Sequence, residues 1–191
     1  MALHPVTIEH LLVSSRHRYE GRPADGPLPS PEEGPGGLPE SRTRIELRAG
    51  LGAVGDRYFA HRAHRDAAVT VFDAASLDHV AEVTGVSELD PAATRRTVTL
   101  RGYPVDELVG RLFTLDSGDG AVRFQGHRAA NPCAWMDVTL APGAFRALRG
   151  RGGVRCVPLD DGVLDLGAAM LDDDPGSAAL DDDPGSGLTP A

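Results

Sequence analysis

The stretch "RRTVTLRGYPVDELVGRLFTLDSGDGAVRFQG", Arg95 to Gly126, decides the fold. "TVTL" is apolar and β-branched, and reads as a strand entered through two arginines. "PVDELVG" has room for about one helical turn. "RLFTLD" and "AVRFQG" flank the glycine-rich "SGDG" and predict a hairpin. Strands joined by turns, with helices of a turn or two, indicate a β-rich α+β domain.

Working outward, the same grammar continues. "VTIEHLLVSS" (6–15), "TRIELRAG" (43–50) and "AAVTVF" (67–72) are strand candidates. "DAASLDHVAEVTG" carries Leu77, Val80, Ala81 and Thr84 at helical spacing, with Asp73 placed to cap the start and Gly85 the end. "NPCAWMDV" and "PGAFRALRG" read as short helices, each with proline at the likely first position. "VRCVPLDDGVLDLG" reads as a second hairpin, turning at Asp161-Gly162. A mainly antiparallel barrel-like sheet with a few short helices is the predicted architecture. No alternation of strand and long helix supports a doubly wound sheet.

Residues 1–170 form the predicted domain, interrupted by a Pro/Gly-rich loop at 21–41 whose six prolines and five glycines cannot build a ladder. Residues 171–191 read as a solvated acidic tail holding a nine-residue repeat, "LDDDPGSAA" then "LDDDPGSGL". A calcium-binding nonapeptide array needs more glycine and more copies. That tail carries six of the chain's 28 acidic residues and no base. The net charge of −9 argues against a nucleic-acid partner. No run of 18 apolar residues is present, so no membrane span is expected. No signal-peptide pattern opens the chain, and a cytoplasmic location is expected. The two cysteines are then expected to be free thiols rather than a disulfide.

All 19 basic residues are arginine. Genome base composition can cause this, but its chemical consequence stands: anions held by cationic side chains are held by planar guanidinium forks. Cys133 is the first chemical candidate. Asn131 as a cap and Pro132 at the first helical position would put it in a helix's first turn, downstream of Arg128, where a thiolate is favoured. A small buried hydrophobe is the competing reading. Cys156 sits inside a strand and reads as core. "GDRYFAHRAHRD" (55–66) offers Asp56, Arg57, His61 and His64. Zinc binding, anion contact and a solvated loop are all open there, and its guanidiniums suit an anion better than a bare cation. "LRGRGGVRC" sets Arg149, Arg151 and Arg155 around Gly152-Gly153, either an oxyanion loop or a plain turn. No Walker loop, dinucleotide fingerprint, CxxC or catalytic-serine signature is present.

Taken in order, "GDRYF" with "HRD", "RRTVTLRGYPVDELVGRLFTL", "NPCAWMD" and "ALRGRGGVRCVPLDDGVLDLG" resemble a MOSC domain, the module named for the C-terminal part of molybdenum cofactor sulfurases. The resemblance spans about residues 42–170 and the first strand. It implies a barrel fold and a pocket for molybdenum–molybdopterin (Moco), with Cys133 as catalytic metal ligand. It assigns Arg57, Arg96, Arg128 and Arg151 to phosphate and pterin contacts, and Asp56, His64 and Asn131 to the pocket walls. The implied activity is reduction of small N-hydroxylated substrates, with electrons from a separate donor protein. The alternative within the resemblance is a non-redox sulfur-carrier or cofactor-binding module with a persulfide on Cys133. Two departures stand out. Relatives read Arg-Asn-Ile where this chain has Arg96-Thr97-Val98, and Gly-Asp where it has Gly167-Ala168. With no lysine, the chain has no Schiff-base partner for pyridoxal phosphate.

Overall fold

The computed structural model describes residues 3–30 and 39–174. In chain order these carry β1 (Leu3–Leu12), β2 (Ser41–Arg42), β3 (Arg44–Arg48), β4 (Gly52–Ala53) and β5 (Val69–Asp73). Then come α1 (Ala75–Thr84), β6 (Val98–Arg101), β7 (Leu112–Asp116), β8 (Val122–Ala129), α2 (Trp135–Thr139) and α3 (Ala144–Ala147). β9 (Val154–Pro158), β10 (Gly162–Asp165) and β11 (Gly167–Asp172) complete the order. The Arg95–Gly126 stretch folds as its pattern predicts. β7 and β8 pair antiparallel with Phe113 opposite Phe124, and Val105–Leu108 forms one 3-10 turn.

Seven strands close into a barrel, in the order β11-β7-β8-β9-β5-β6-β1. Closure comes from β1 pairing with β11, Leu3 opposite Asp172 through Ile8 opposite Gly167. Every neighbouring pair is antiparallel except β5–β6, which is parallel because α1 carries the chain across between them. Alternation fills the barrel with Val6, Ile8, Val71, Val98, Leu100, Phe113, Phe124, Val154 and Cys156. The outward-facing Phe72 anchors a second apolar layer, in which Val80 of α1, Trp135 and Met136 of α2, and Ala144 and Leu148 pack together.

α1 starts and stops as its sequence signals. The Ala75 amide donates to Asp73 Oδ1 at 2.9 Å, and Gly85 ends the helix at φ 73°. Two expectations are corrected. β10 does not form a hairpin with β9; it leaves the barrel and pairs with β3 in a separate three-stranded sheet with β4. The Asp160-Asp161 corner is pulled away by its own partners. Asp160 pairs with Arg123 at 2.8 Å, and Asp161 accepts from the Ala49 amide and Arg48. Nor does Asn131 cap a helix. α2 begins at Trp135, so Cys133 lies ahead of it and only offers its carbonyl to the Met136 amide at 3.0 Å.

β11 continues two residues past 170 and buries Leu171 and Asp172. The acidic repeat falls mostly at 175–191, outside the described residues, as does the middle of the Pro/Gly-rich loop at 31–38. Among the described residues no helix is long and apolar enough to cross a membrane.

Candidate functional site

One end of the barrel opens into a cavity of about 330 Å³, near the lower end of the roughly 300–1,000 Å³ common for small-molecule sites. Its lining comes from the segment after β1, the loop 52–67, Thr70 of β5, the Arg95-Arg96 entry to β6, the segment between β8 and α2, the start of α2, and the start of β9. Arg57, Arg95, Arg96, Arg155, His17 and His64 line it, and among the described residues no carboxylate does. Cys133 stands exposed on its wall.

The arginines are not equivalent. Arg95 is committed to structure: its two terminal nitrogens each donate to Glu40 at 2.9 Å. Glu40 is itself buried and also takes Ser14 Oγ and Arg18. Its burial pushes the carboxyl pKa up, but these donors and the charges of Arg95 and Arg18 outweigh that and hold it below the usual value. Arg57 is pinned by its backbone, whose amide donates to Ser14 O at 2.8 Å, and lies 4.4 Å over the Tyr58 ring. Arg96 donates to the Ala130 and Asn131 carbonyls at 2.9 and 3.4 Å. Burial, then the Arg155 charge, pushes Arg96 down to about 10, against the opposing influence of Cys133. The Nε atoms of both Arg57 and Arg96 are buried without a hydrogen-bond partner among the described residues. Arg155 faces Arg128 across β8–β9, two like charges in register.

A cavity with crowded guanidiniums and buried N–H groups left without a partner among the described residues suits an oxyanion. His64 supports this from the side. Burial first, then His61, Arg155, Arg128 and Arg57, lower its pKa and favour the neutral ring. Tyr58 packs on it at 4.5 Å. An apolar flank comes from Tyr19, stacked on Trp135 at 5.1 Å, its hydroxyl donating to Ala93 O at 2.5 Å. No group of three or more His, Cys, Asp or Glu side chains arranged to hold a metal occurs among the described residues, which counts against a zinc site at His61 and His64.

Of the residues singled out from sequence, Cys133, Arg57, His64, Arg96 and Asn131 come together on the cavity wall. Three do not line it. Asp56 is buried behind, where its carboxylate accepts from the Ser14 and Tyr58 amides at 3.1 and 2.9 Å and steadies Arg57 at 3.7 Å. Arg128 is exposed on β8, outside the cavity. Arg151 is exposed at the turn before β9. The structure puts Arg155 at the cavity, and strand alternation carried the signal: Val154 and Cys156 point into the core, so Arg155 points out. His17 and Tyr19 left no sequence signal, because their segment is held by partners far away in the chain, Arg18 on Glu40 and Arg95 on the Arg16 carbonyl.

The closed seven-stranded barrel is a fold found in other solved proteins. It is shared with the solved YuaD protein of Bacillus subtilis at a TM-score of 0.64 and 14% identity, over 89% of this chain and 96% of that one. YiiM from Escherichia coli aligns at a TM-score of 0.54 and 13% identity, over 90% of this chain and 70% of its own. At such identities the likeness is one of fold. No family model matches the sequence, and no curated protein matches it.

Proposed function

We propose that this protein holds a molybdopterin-type cofactor in the mouth cavity and reduces small N-hydroxylated compounds. The observation that carries the reading is an exposed thiol, Cys133, on the wall of a cavity lined by Arg57, Arg96 and Arg155 and, among the described residues, by no carboxylate. The chemistry of this donor set fits the group. A phosphate dianion suits guanidinium forks and the unused Nε–H groups of Arg57 and Arg96, and a thiolate is a soft ligand for molybdenum. When bound, the metal would supply the two-electron reduction that cleaves an N–O bond.

The chain's own residues would do the rest. Arg57 and Arg155 hold the anionic end, and Cys133 supplies the sulfur. His64, kept neutral by burial and its cationic neighbours, offers an N–H to the substrate or takes a hydrogen bond from it. Tyr19 and Trp135 exclude water on the apolar side. Electrons would come from a separate protein. Protein purified from a host that makes molybdopterin is expected to carry molybdenum and to reduce hydroxylaminopurine, and Cys133→Ala to lose both. Reduction that survives the substitution rules the reading out. The same exposed thiol also suits a sulfur carrier; a one-sulfur mass gain on Cys133, without a pterin, would favour that instead.

A further inference from the structure

The five residues from Ala130 to Ala134 join β8 to α2 with no regular structure of their own. Few bonds hold them. The Ala130 amide donates to Gly153 O at 2.8 Å, and the Cys133 and Ala134 carbonyls accept from the first turn of α2. Pro132 has no N–H to give. The two remaining carbonyls just ahead of Pro132-Cys133, those of Ala130 and Asn131, both accept from one atom, Arg96 Nη2.

That guanidinium sits at a junction. A side chain at residue 152 would put its Cβ 1.8 Å from Ala130 O and 3.5 Å from Arg96 Nη2, so glycine is what lets the three meet. The next amide, Gly153, is tied to Asp106 Oδ1 at 3.0 Å. Arg96 itself is rooted in the barrel. It follows Arg95 at φ 59°, and Thr97 O after it accepts from Leu12 on β1 at 2.8 Å. Its Nε edge is buried and unpartnered.

We infer that Arg96 is the positioning residue of the Cys133 segment. Its Nη2 fixes where the sulfur stands, while its charge adds to the field the sulfur experiences. This rests on the reading of Cys133 as the reacting atom. The two duties separate by substitution. Lysine keeps the charge, but its nitrogen stands one bond closer to the backbone than Nη2 and falls short of the two carbonyls. Glutamine loses both. Arg155 lines the same cavity and makes no bond to the segment, so Arg155→Gln alters the field alone.

The test needs no metal. Hydrogen exchange at the Ala130 and Met136 amides reads position. The rate of Cys133 with the dianionic disulfide DTNB, divided by that with a neutral dipyridyl disulfide at low salt, reads the field. Arg96→Lys is expected to speed exchange at both amides about ten-fold or more and to leave the ratio unchanged. Arg155→Gln is expected to lower the ratio several-fold and leave exchange unchanged. Arg96→Gln should do both; if it does not fold, the other two decide. Wild-type exchange in Arg96→Lys, or equal loosening in Arg155→Gln, overturns the inference. A Cys133 that holds neither metal nor sulfur overturns the proposed function and leaves these measurements standing.

Discussion

Glu40→Ala is the sharpest perturbation this structure offers. The carboxylate and the Arg95 side chain are each only 7% exposed and meet at 2.9 Å. Ser14 and Arg18 share the same carboxylate. Removing one partner leaves a buried guanidinium uncompensated, which costs about 3–5 kcal/mol. A domain of this size is stable by about 5–15 kcal/mol, so a fifth or more of its margin is at stake. With a urea dependence of about 2 kcal/mol per molar, the unfolding midpoint should fall by about 1.5–2.5 M. Replacing both partners with apolar residues, Glu40→Leu with Arg95→Met, should recover most of that loss. The pH dependence has a definite sign. Because the folded carboxyl is held below its ordinary 4.5, the contribution is complete above that value. It fades as pH falls through the lowered folded value, since the unfolded chain binds the proton more readily. Glu40→Ala should therefore be less sensitive to acid below pH 4.5 than the wild type. A midpoint shift under about 0.5 M, or a double variant as weak as the single one, would refute the reasoning.

Native protein treated with iodoacetamide should take one label, on Cys133, and a second only in denaturant, because burial pushes the Cys156 thiol far up; mass spectrometry counts them. Gly152→Ala, with its Cβ driven against Ala130 O, should lose several kcal/mol, about 3 or more, in thermal unfolding, whereas Gly118→Ala meets open space and should lose less, the backbone strain of its φ of 116° alone. Tyr19→Ala removes a stacked ring worth about 0.5–1.5 kcal/mol and opens the mouth. Trp135 is the only tryptophan, so its emission should shift to the red while far-ultraviolet circular dichroism stays the same.

Local grammar made much of this fold legible. Alternation marked β3, the glycine-rich turn marked β7 and β8, and Asp73 and Gly85 flanked α1, because each signal is completed within a few residues. What escaped depends on partners far away in the chain. Asp161-Gly162 looks like a hairpin turn, but β10 finds β3, more than a hundred residues earlier, through Asp161 with Arg48 and Asp165 with Arg44. Asn131-Pro132 looks like a helix start, but the Asn131 carbonyl accepts from Arg96 and α2 begins only at Trp135. The site divides the same way. Cys133, Arg57, His64, Arg96 and Asn131 could be picked out by residue type. Choosing Arg155 over Arg151 needed the facing of β9, and finding His17 and Tyr19 needed the contacts of Arg18 with Glu40 and of Arg95 with the Arg16 carbonyl.

The strand that shuts the barrel against β1 is β11, near the far end of the chain. A nascent polypeptide emerging from the ribosome therefore carries β1 for most of its synthesis with an unmated edge, and β7 for a shorter time. Zipping residues 3–8 to 167–172 encloses a loop of nearly the whole chain, so cylinder completion is a late and comparatively slow event. Until it happens, the row of free amides and carbonyls along β1 is where newly made copies would stick to one another.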